Sequence, residues 1–197
     1  MRKIPRELEN PIDNILIDLC EPISELFNRI SLTPNHITTI SMIFGFLSVF
    51  FLYKRIVIVA VILYFISYLF DCVDGYYARK YNMCSKFGDL YDHIKDCSVN
   101  FLFYFGVFYI YKDKLSVSQW IIIGFISLFI KFMESLYFGA QEKYYDHLDD
   151  IPSLGFLSKM FKDKEQSKNM LGVLRFFGCG SFIVYIMIVT LFLEYKK

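Results

Sequence analysis

The residues best suited to chemistry are four aspartates that lie within long apolar stretches of the chain. They are Asp71, Asp74, Asp92 and Asp96. An aspartate near the bilayer centre costs roughly 2.5–3.5 kcal/mol on insertion scales, so its presence there indicates function. The first two are three residues apart and the last two are four apart, so each pair shares one face of a helix. Only a short turn separates the two helices, and we expect the acidic faces to point at each other.

Four carboxylates that converge in a low-dielectric site repel one another unless they are protonated or neutralised. Divalent cations neutralise them most simply, and all-oxygen ligation suits Mg²⁺ or Mn²⁺. The five cysteines show no CxxC spacing and the sequence offers no His/Cys set for zinc. The pattern therefore predicts a site for Mg²⁺ or Mn²⁺, in which two ions would polarise a pyrophosphate and stabilise a leaving phosphate.

The composition indicates which elements must position these aspartates. The 197 residues are 55% hydrophobic and 19% aromatic, which is typical of a membrane protein, and the net charge of +1 argues against nucleic acid as a partner. Stretches of roughly 20 apolar residues are long enough to cross the bilayer as helices. Five stretches qualify, at residues 35–53, 56–81, 87–111, 117–137 and 169–193.

The region before the first span is amphipathic. Apolar residues recur every three or four positions from Ile12 to Ile30, which predicts a helix on a membrane face or one packed on the protein's own loops. Pro22 predicts two short helices there, or one that begins afresh near Glu21. We therefore expect an all-α integral membrane protein, with an interfacial region 1–34 and a membrane domain 35–197.

The distribution of Lys and Arg predicts the orientation of the spans. The N-terminal arm, the 79–88 turn and the 139–168 loop together hold 12 such residues, whereas the opposite side holds 6. The first side, which lies nearest the aspartates, is therefore predicted to be cytoplasmic.

Small and cationic residues accompany the aspartates. Gly75 and Ala78 leave room for a nucleotide close to the backbone, unless they serve only close helix packing. Arg79 follows as a side chain that can donate hydrogen bonds to a phosphate, or as one that snorkels at the end of the span.

Three cations, Lys95, Lys131 and Arg175, lie inside the spans. At 1.5 Å per residue, Lys131 and Arg175 fall roughly 9–15 Å below the cytoplasmic face, at the depth of the aspartates. We expect these two to share the aspartates' cavity and to hold an anionic part of a substrate. An ion pair of Lys131 with Glu134 is the alternative.

The segment DCVDGYYARKYNMCSKFGDLYDHIKD, residues 71–96, contains DxxDGxxAR, eight further residues, and then GxxxDxxxD. It resembles the signature of the CDP-alcohol phosphotransferase family at every fixed position. The TPNHIT segment, residues 33–38, resembles the motif with which members of that family enter their first membrane helix.

The resemblance implies a homodimer and six spans rather than five. Residues 139–168 are too charged to span, so we predict a loop with a short amphipathic helix around 151–161, or a hidden sixth span.

The resemblance also implies roles for individual residues. Asp71, Asp74, Asp92 and Asp96 would be the metal ligands, and Asp96, beside the metals, would also act as general base on the acceptor hydroxyl. The CDP moiety would be bound by Asn35, Thr38, Gly75, Ala78, Arg79 and Ser85. The acceptor oxygen would attack the β-phosphorus of the donor and release CMP. His93 is a weaker candidate for proton transfer and is better interpreted as a packing or hydrogen-bonding residue.

Two substrate branches remain open under this resemblance. The small size and the buried cations favour CDP-diacylglycerol with a small polar acceptor. The DLYDH run at residues 89–93 resembles the branch that joins CDP-choline or CDP-ethanolamine to diacylglycerol. A function of another class is ion or proton transport, because intramembrane acids also mark such pathways, although no internal repeat is visible.

Overall fold

The computed structural model describes residues 2–145 and 155–196, and their regular structure is entirely helical. The eight helices in this part of the chain are α1 (Pro11–Arg29), α2 (Pro34–Tyr53), α3 (Val57–Lys80), α4 (Lys86–Tyr111), α5 (Val117–Tyr145), α6 (Gly155–Ser158), α7 (Lys164–Leu174) and α8 (Cys179–Tyr195). Short 3₁₀ turns follow α4 and α7. The prediction of an all-α membrane protein is confirmed.

Four helical segments in the described residues are long and apolar enough to cross a membrane. They are Pro34–Tyr53, Val57–Lys80, Val117–Tyr145 and Lys164–Tyr195. The remaining predicted span corresponds to α4, whose 26 residues are long enough to cross. Helix α4 is less apolar than the other four segments, because its first half carries the polar residues discussed below.

The chain divides into two compact units. One contains Leu16–Ser116 and Tyr185–Lys197, and the other contains Arg2–Ile15 and Val117–Val184. We call them the first and the second unit. The sequence-based division at residue 34 stays a prediction.

In the first unit, α2, α3 and α4 pack closely because small polar residues lie where they cross. The Ser41 hydroxyl donates to the Ser67 carbonyl oxygen, and the Ser67 hydroxyl donates to the Ser41 carbonyl oxygen, both at 2.8 Å. Gly45 allows α4 to approach α2, since a Cβ atom at this position would lie 2.6 Å from Cγ2 of Val99. Thus α2 contacts both helices that carry the aspartates.

We predict that Gly45→Ala destabilises the protein. The added methyl group would overlap Val99, a β-branched side chain with little freedom in a helix, and such overpacking costs about 1–3 kcal/mol. Thermal unfolding in detergent should show a melting temperature several degrees lower. Gly124→Ala is the matched control, because its Cβ atom would have no neighbour within 4 Å. Val99→Ala should rescue Gly45→Ala, and equal melting temperatures for the two alanine variants would contradict the prediction.

Helix α1 runs without interruption through Pro22, so the predicted break there is wrong. Packing compensates for the hydrogen bond that proline removes: Cys20 is buried against Val73 and Tyr77 of α3. Lys80 donates to Glu21 at 2.5 Å, and this bond lowers the pKa of Glu21 below its ordinary value.

A stripe on α1 remains exposed, formed by Ile15, Leu19 and Leu26 and continued by Ile30 just after the helix ends. The spacing of these residues along one side of the helix agrees with the predicted amphipathic character. Contact of this stripe with a membrane face stays a prediction.

In the second unit, α5 continues to Tyr145, eight residues beyond the predicted end at 137. The helix continues because its apolar face is still packed after the membrane-length stretch ends: Tyr137 and Ala140 are buried with Leu171 and Leu174 of α7. Most of the short helix predicted around 151–161 lies outside the described residues or is not helical, and α6 is its described helical part.

The predicted final span, 169–193, is not one continuous helix. Helix α7 ends at Leu174, and Gly178 is extended before α8 begins. The break allows a close approach by Asn10, whose side chain donates to the Arg175 carbonyl oxygen at 2.6 Å. A Cβ atom on Gly178 would lie 2.9 Å from Cβ of Asn10, so this approach favours glycine.

Candidate metal and nucleotide site

Three of the four aspartates form one cluster in the first unit. Asp71 and Asp74 come from α3 and Asp92 from α4, and one carboxylate oxygen of each lies within 4.8 Å of the others. Asp74 is only 6% exposed. The acidic faces of the two helices therefore meet, as the spacing indicated.

Helix α2 and the start of α4 hold this cluster in place. The Thr38 hydroxyl donates to Oδ2 of Asp74 at 2.7 Å and orients that carboxylate. Helix α4 begins after Ser85, whose hydroxyl oxygen accepts from the Gly88 amide at 3.0 Å, a standard N-cap. The hydroxyl groups of Thr39 and Tyr91 lie 3.0 Å apart and join α2 to α4. The sequence does not point to this last pair, because no charge or motif marks it.

The cluster fits a divalent cation. Its donors are all carboxylate oxygens, which Mg²⁺ and Mn²⁺ prefer. Oδ1 of Asp92 is buried and makes no hydrogen bond to the described residues. A buried carboxylate oxygen without a hydrogen bond is costly; the Lys95 ammonium group, 3.0 Å away, offsets part of that cost as an ion pair, and a bound cation would offset it in the same way.

Lys95 is the main site residue that sequence reasoning did not place. Its side chain is 1% exposed, and its ammonium group hydrogen-bonds Asp71. The same nitrogen lies 3.0 Å from Oδ1 of Asp92 and 2.7 Å from Oδ1 of Asp96. The available signal was its position three residues after Asp92, which allows an ion pair along one helix.

Asp96 lies beside the three-aspartate cluster rather than in it. Its side chain contacts Lys95 and is 46% exposed, so part of the carboxylate lies at the surface of the described residues. His93, the weaker proton-transfer candidate, is exposed, and its Nδ1 atom lies 2.8 Å from the Asp89 carbonyl oxygen of its own helix. That contact agrees with the hydrogen-bonding interpretation.

The residues expected to bind CDP lie in two places near these aspartates. A Cβ atom on Gly88 would lie 3.0 Å from the Ser85 hydroxyl oxygen and 3.1 Å from Oδ1 of Asn35, so these polar groups converge where α4 begins. On α3, the Arg79 guanidinium lies over Gly75, where an added Cβ would be 3.2 Å from Nη1. Ala78, between them, is half-buried. Their roles in nucleotide binding stay predictions.

We predict that Gly75→Ala weakens donor binding through Arg79. The methyl group would lie 3.2 Å from Nη1 of Arg79, so the guanidinium would have to shift and its hydrogen bonds to a donor phosphate would weaken. Full loss of one charge-assisted phosphate contact would raise the KM for the donor about tenfold or more, so this smaller displacement should raise it about two- to fivefold. Steady-state kinetics would measure it. The control is Gly172→Ala, which adds the same group to open space; an unchanged KM in Gly75→Ala would refute the proposed contact.

The two predicted acceptor ligands lie in the second unit. Lys131 pairs with Glu134 at 2.7 Å and lies 4.0 Å from the ring centroid of Phe182. Arg175 donates to the Glu7 carbonyl oxygen and stacks on Phe176. The alternative for Lys131, an ion pair, therefore occurs. Acceptor binding by these cations, and a cavity shared with the aspartates, stay predictions.

Fold and site together define an integral membrane protein in which carboxylates of neighbouring helices form a cluster that could hold a metal ion. Residues 31–145, more than half of the chain, match the family model of CDP-alcohol phosphatidyltransferase, and the chain belongs to this family. This finding confirms the resemblance in the DxxDGxxAR and GxxxDxxxD segments.

The chain is also similar to a protein of Aquifex aeolicus (strain VF5) described as "Uncharacterized protein". The two are 34% identical over 79 residues, which are 40% of this chain and 40% of that protein. The chain thus matches well under two thirds of that relative's length. No solved structure matches the chain.

Proposed function

We propose that this protein transfers a phospho-alcohol group from a CDP-linked donor to a hydroxyl acceptor and releases CMP. The observation that supports this most is the convergence of three carboxylates from α3 and α4 within 4.8 Å, in a chain of this family. Mg²⁺ or Mn²⁺ ions held by Asp71, Asp74 and Asp92, two ions in our proposal, would offset negative charge on the pyrophosphate.

The chain's own residues would supply binding and proton transfer. Asp96 accepts the proton of the acceptor hydroxyl, and its partial exposure leaves it accessible. The acceptor oxygen attacks the β-phosphorus, and the bond from this phosphorus to the bridging oxygen breaks with loss of CMP. Arg79 binds a donor phosphate, while Gly75 and Ala78 leave space for the nucleotide. Asn35, Thr38 and Ser85 complete the CDP site.

We place the activity in phospholipid synthesis, with CDP-diacylglycerol as donor and a small polar acceptor that carries an anionic group. Lys131 and Arg175 are the proposed acceptor ligands. The excess of Lys and Arg on one side favours an active site that faces the cytoplasm. A homodimer is part of the proposal on the strength of the family resemblance.

The test is to offer purified protein labelled CDP-diacylglycerol, CDP-choline and CDP-ethanolamine with Mg²⁺ or Mn²⁺. The acceptors are inositol, inositol phosphate, glycerol phosphate, serine and diacylglycerol. We expect a labelled phospholipid from CDP-diacylglycerol together with stoichiometric CMP. A product only from CDP-choline or CDP-ethanolamine would overturn the donor assignment, and no CMP release from any donor would overturn the activity.

Ion or proton transport, the rival from another class, is separated by nucleotide binding. With divalent metal, CDP at 100 times its Kd should stabilise a phosphotransferase by about 2.7 kcal/mol. Thermal unfolding with and without CDP measures this shift. A transporter that uses the aspartates only for ions predicts no effect of CDP.

A further inference from the structure

Lys95 lies against the carboxylates that would bind a divalent cation. Its ammonium group contacts Asp71 and Asp92, which are two of the three residues whose oxygens lie within 4.8 Å of one another. A cation held by these carboxylates and an ammonium group on the same oxygens would be neighbours of like charge in a poorly hydrated site, where repulsion is strong. The two cannot both occupy this position without a large energetic cost.

The Lys95 ammonium group is also able to move away from Asp71 and Asp92. Its ammonium group stands at the end of four methylene groups, so rotations about their bonds can move the nitrogen away from Asp71 and towards Asp96, which is already 2.7 Å away. Asp96, one of its three partners, is 46% exposed and lies outside the three-aspartate cluster. The ammonium group can therefore withdraw from Asp71 and Asp92 while it keeps one carboxylate partner, and it need not become an unpaired buried charge.

We infer that Lys95 is a tethered counter-cation that neutralises the aspartate cluster when no metal is bound and competes with the divalent cation for Asp71 and Asp92. The competition has two consequences. It keeps the metal-free protein folded around four carboxylates, and it makes metal binding weaker than these carboxylates alone would give. Lys95 is thus a positioning residue that sets the metal affinity of the site. This inference rests on the proposed function only in that a divalent cation binds these aspartates.

The experiment compares wild type with Lys95→Met, a neutral side chain of similar length, by titration with Mn²⁺ alone in detergent at one fixed pH. Free Mn²⁺ is measured by electron paramagnetic resonance. Close charge pairs couple strongly enough that removal of the competing ammonium should lower the Mn²⁺ Kd by about tenfold or more. In parallel, thermal unfolding in EDTA should show that Lys95→Met is less stable than wild type, and saturating Mn²⁺ should remove most of that difference.

Lys112→Met is the matched control, because it removes the same charge 17 residues further along the chain, past the end of α4. At 1.5 Å per residue this is roughly 25 Å from Lys95, so the Mn²⁺ Kd should equal that of wild type. If Lys112→Met tightened binding as much as Lys95→Met does, the effect would be one of net charge and the inference would fail.

Two further outcomes test the competition between Lys95 and the metal ion. An Mn²⁺ Kd in Lys95→Met that is unchanged or weaker than in wild type overturns the competition while leaving the proposed function intact. Absence of Mn²⁺ binding to wild type and variant alike overturns both. If Lys95→Met does not survive in EDTA, it is purified in Mn²⁺ and the release of the ion into excess chelator is timed. Slower release than from wild type supports the inference, and equal or faster release refutes it.

Discussion

Asp96→Asn is expected to abolish turnover while it spares ligand binding. The amide has nearly the shape of the carboxylate and can still accept a hydrogen bond from Lys95, but it cannot take the proton of the acceptor hydroxyl. Loss of a general base lowers kcat by about 10²–10⁴-fold. Release of CMP from the donor measures kcat, and Mn²⁺ titration with CDP-induced thermal shifts measures binding.

Asp89→Asn is the control for this substitution, since it makes the same chemical change on the same helix and its neighbour is His93. It should retain the wild-type rate. Wild-type turnover in Asp96→Asn would refute the assignment of the base. A parallel loss of Mn²⁺ and CDP binding would show instead that Asp96 acts mainly as a metal ligand.

Asp74→Asn is expected to lose metal and nucleotide binding together. Asp74 is the most buried of the clustered aspartates and is held by Thr38, so no other carboxylate can easily replace it. Loss of a ligand from so compact a cluster should raise the Mn²⁺ Kd by about 100-fold or more, given that changes to supporting residues alone cost 10–100-fold. The thermal shift produced by CDP with Mn²⁺ should disappear as well.

Thr38→Val gives a graded comparison for this prediction. It keeps the carboxylate and removes only the hydroxyl that orients it, so Mn²⁺ binding should weaken by about 10–100-fold. Asp113→Asn, at an exposed position just after α4, controls for the loss of one negative charge. A CDP-induced shift of normal size in Asp74→Asn would show that nucleotide binds without this metal ligand.

The helices and the meeting of acidic faces could be predicted because both follow from local rules. Apolar length identifies a membrane helix, and spacings of three and four residues fix which side chains share a face. The short connection between α3 and α4 then leaves the faces of Asp71 and Asp92 opposite each other. No tertiary information was needed for that step.

The ends and breaks of helices were harder to predict from the sequence, because hydropathy indicates contact with lipid rather than helical conformation. Helix α5 continues past residue 137 since Ala140 is still packed against α7. The break at Gly178 coincides with a close approach by Asn10, which is 168 residues away in sequence. Such long-range contacts leave no periodic signal.

Lys95 was recognised as a cation within a span, but its partners were not. A lysine side chain is long and flexible, so its position on a helix does not fix where its charge lies. Helical spacing alone would offer Asp92 as a partner, whereas the structure shows three partners, including Asp71 on the other helix.

The reciprocal bonds between Ser41 and Ser67 limit how the site can move. A shift of α3 along α2 by a single residue, about 1.5 Å, would break both serine bonds and the bond from Thr38 to Asp74. These bonds therefore hold α2 and α3 in a fixed register. We expect rearrangement during a catalytic cycle to occur in the long flexible side chains on these helices and their neighbours, because rotamer changes are faster than the sliding of whole helices.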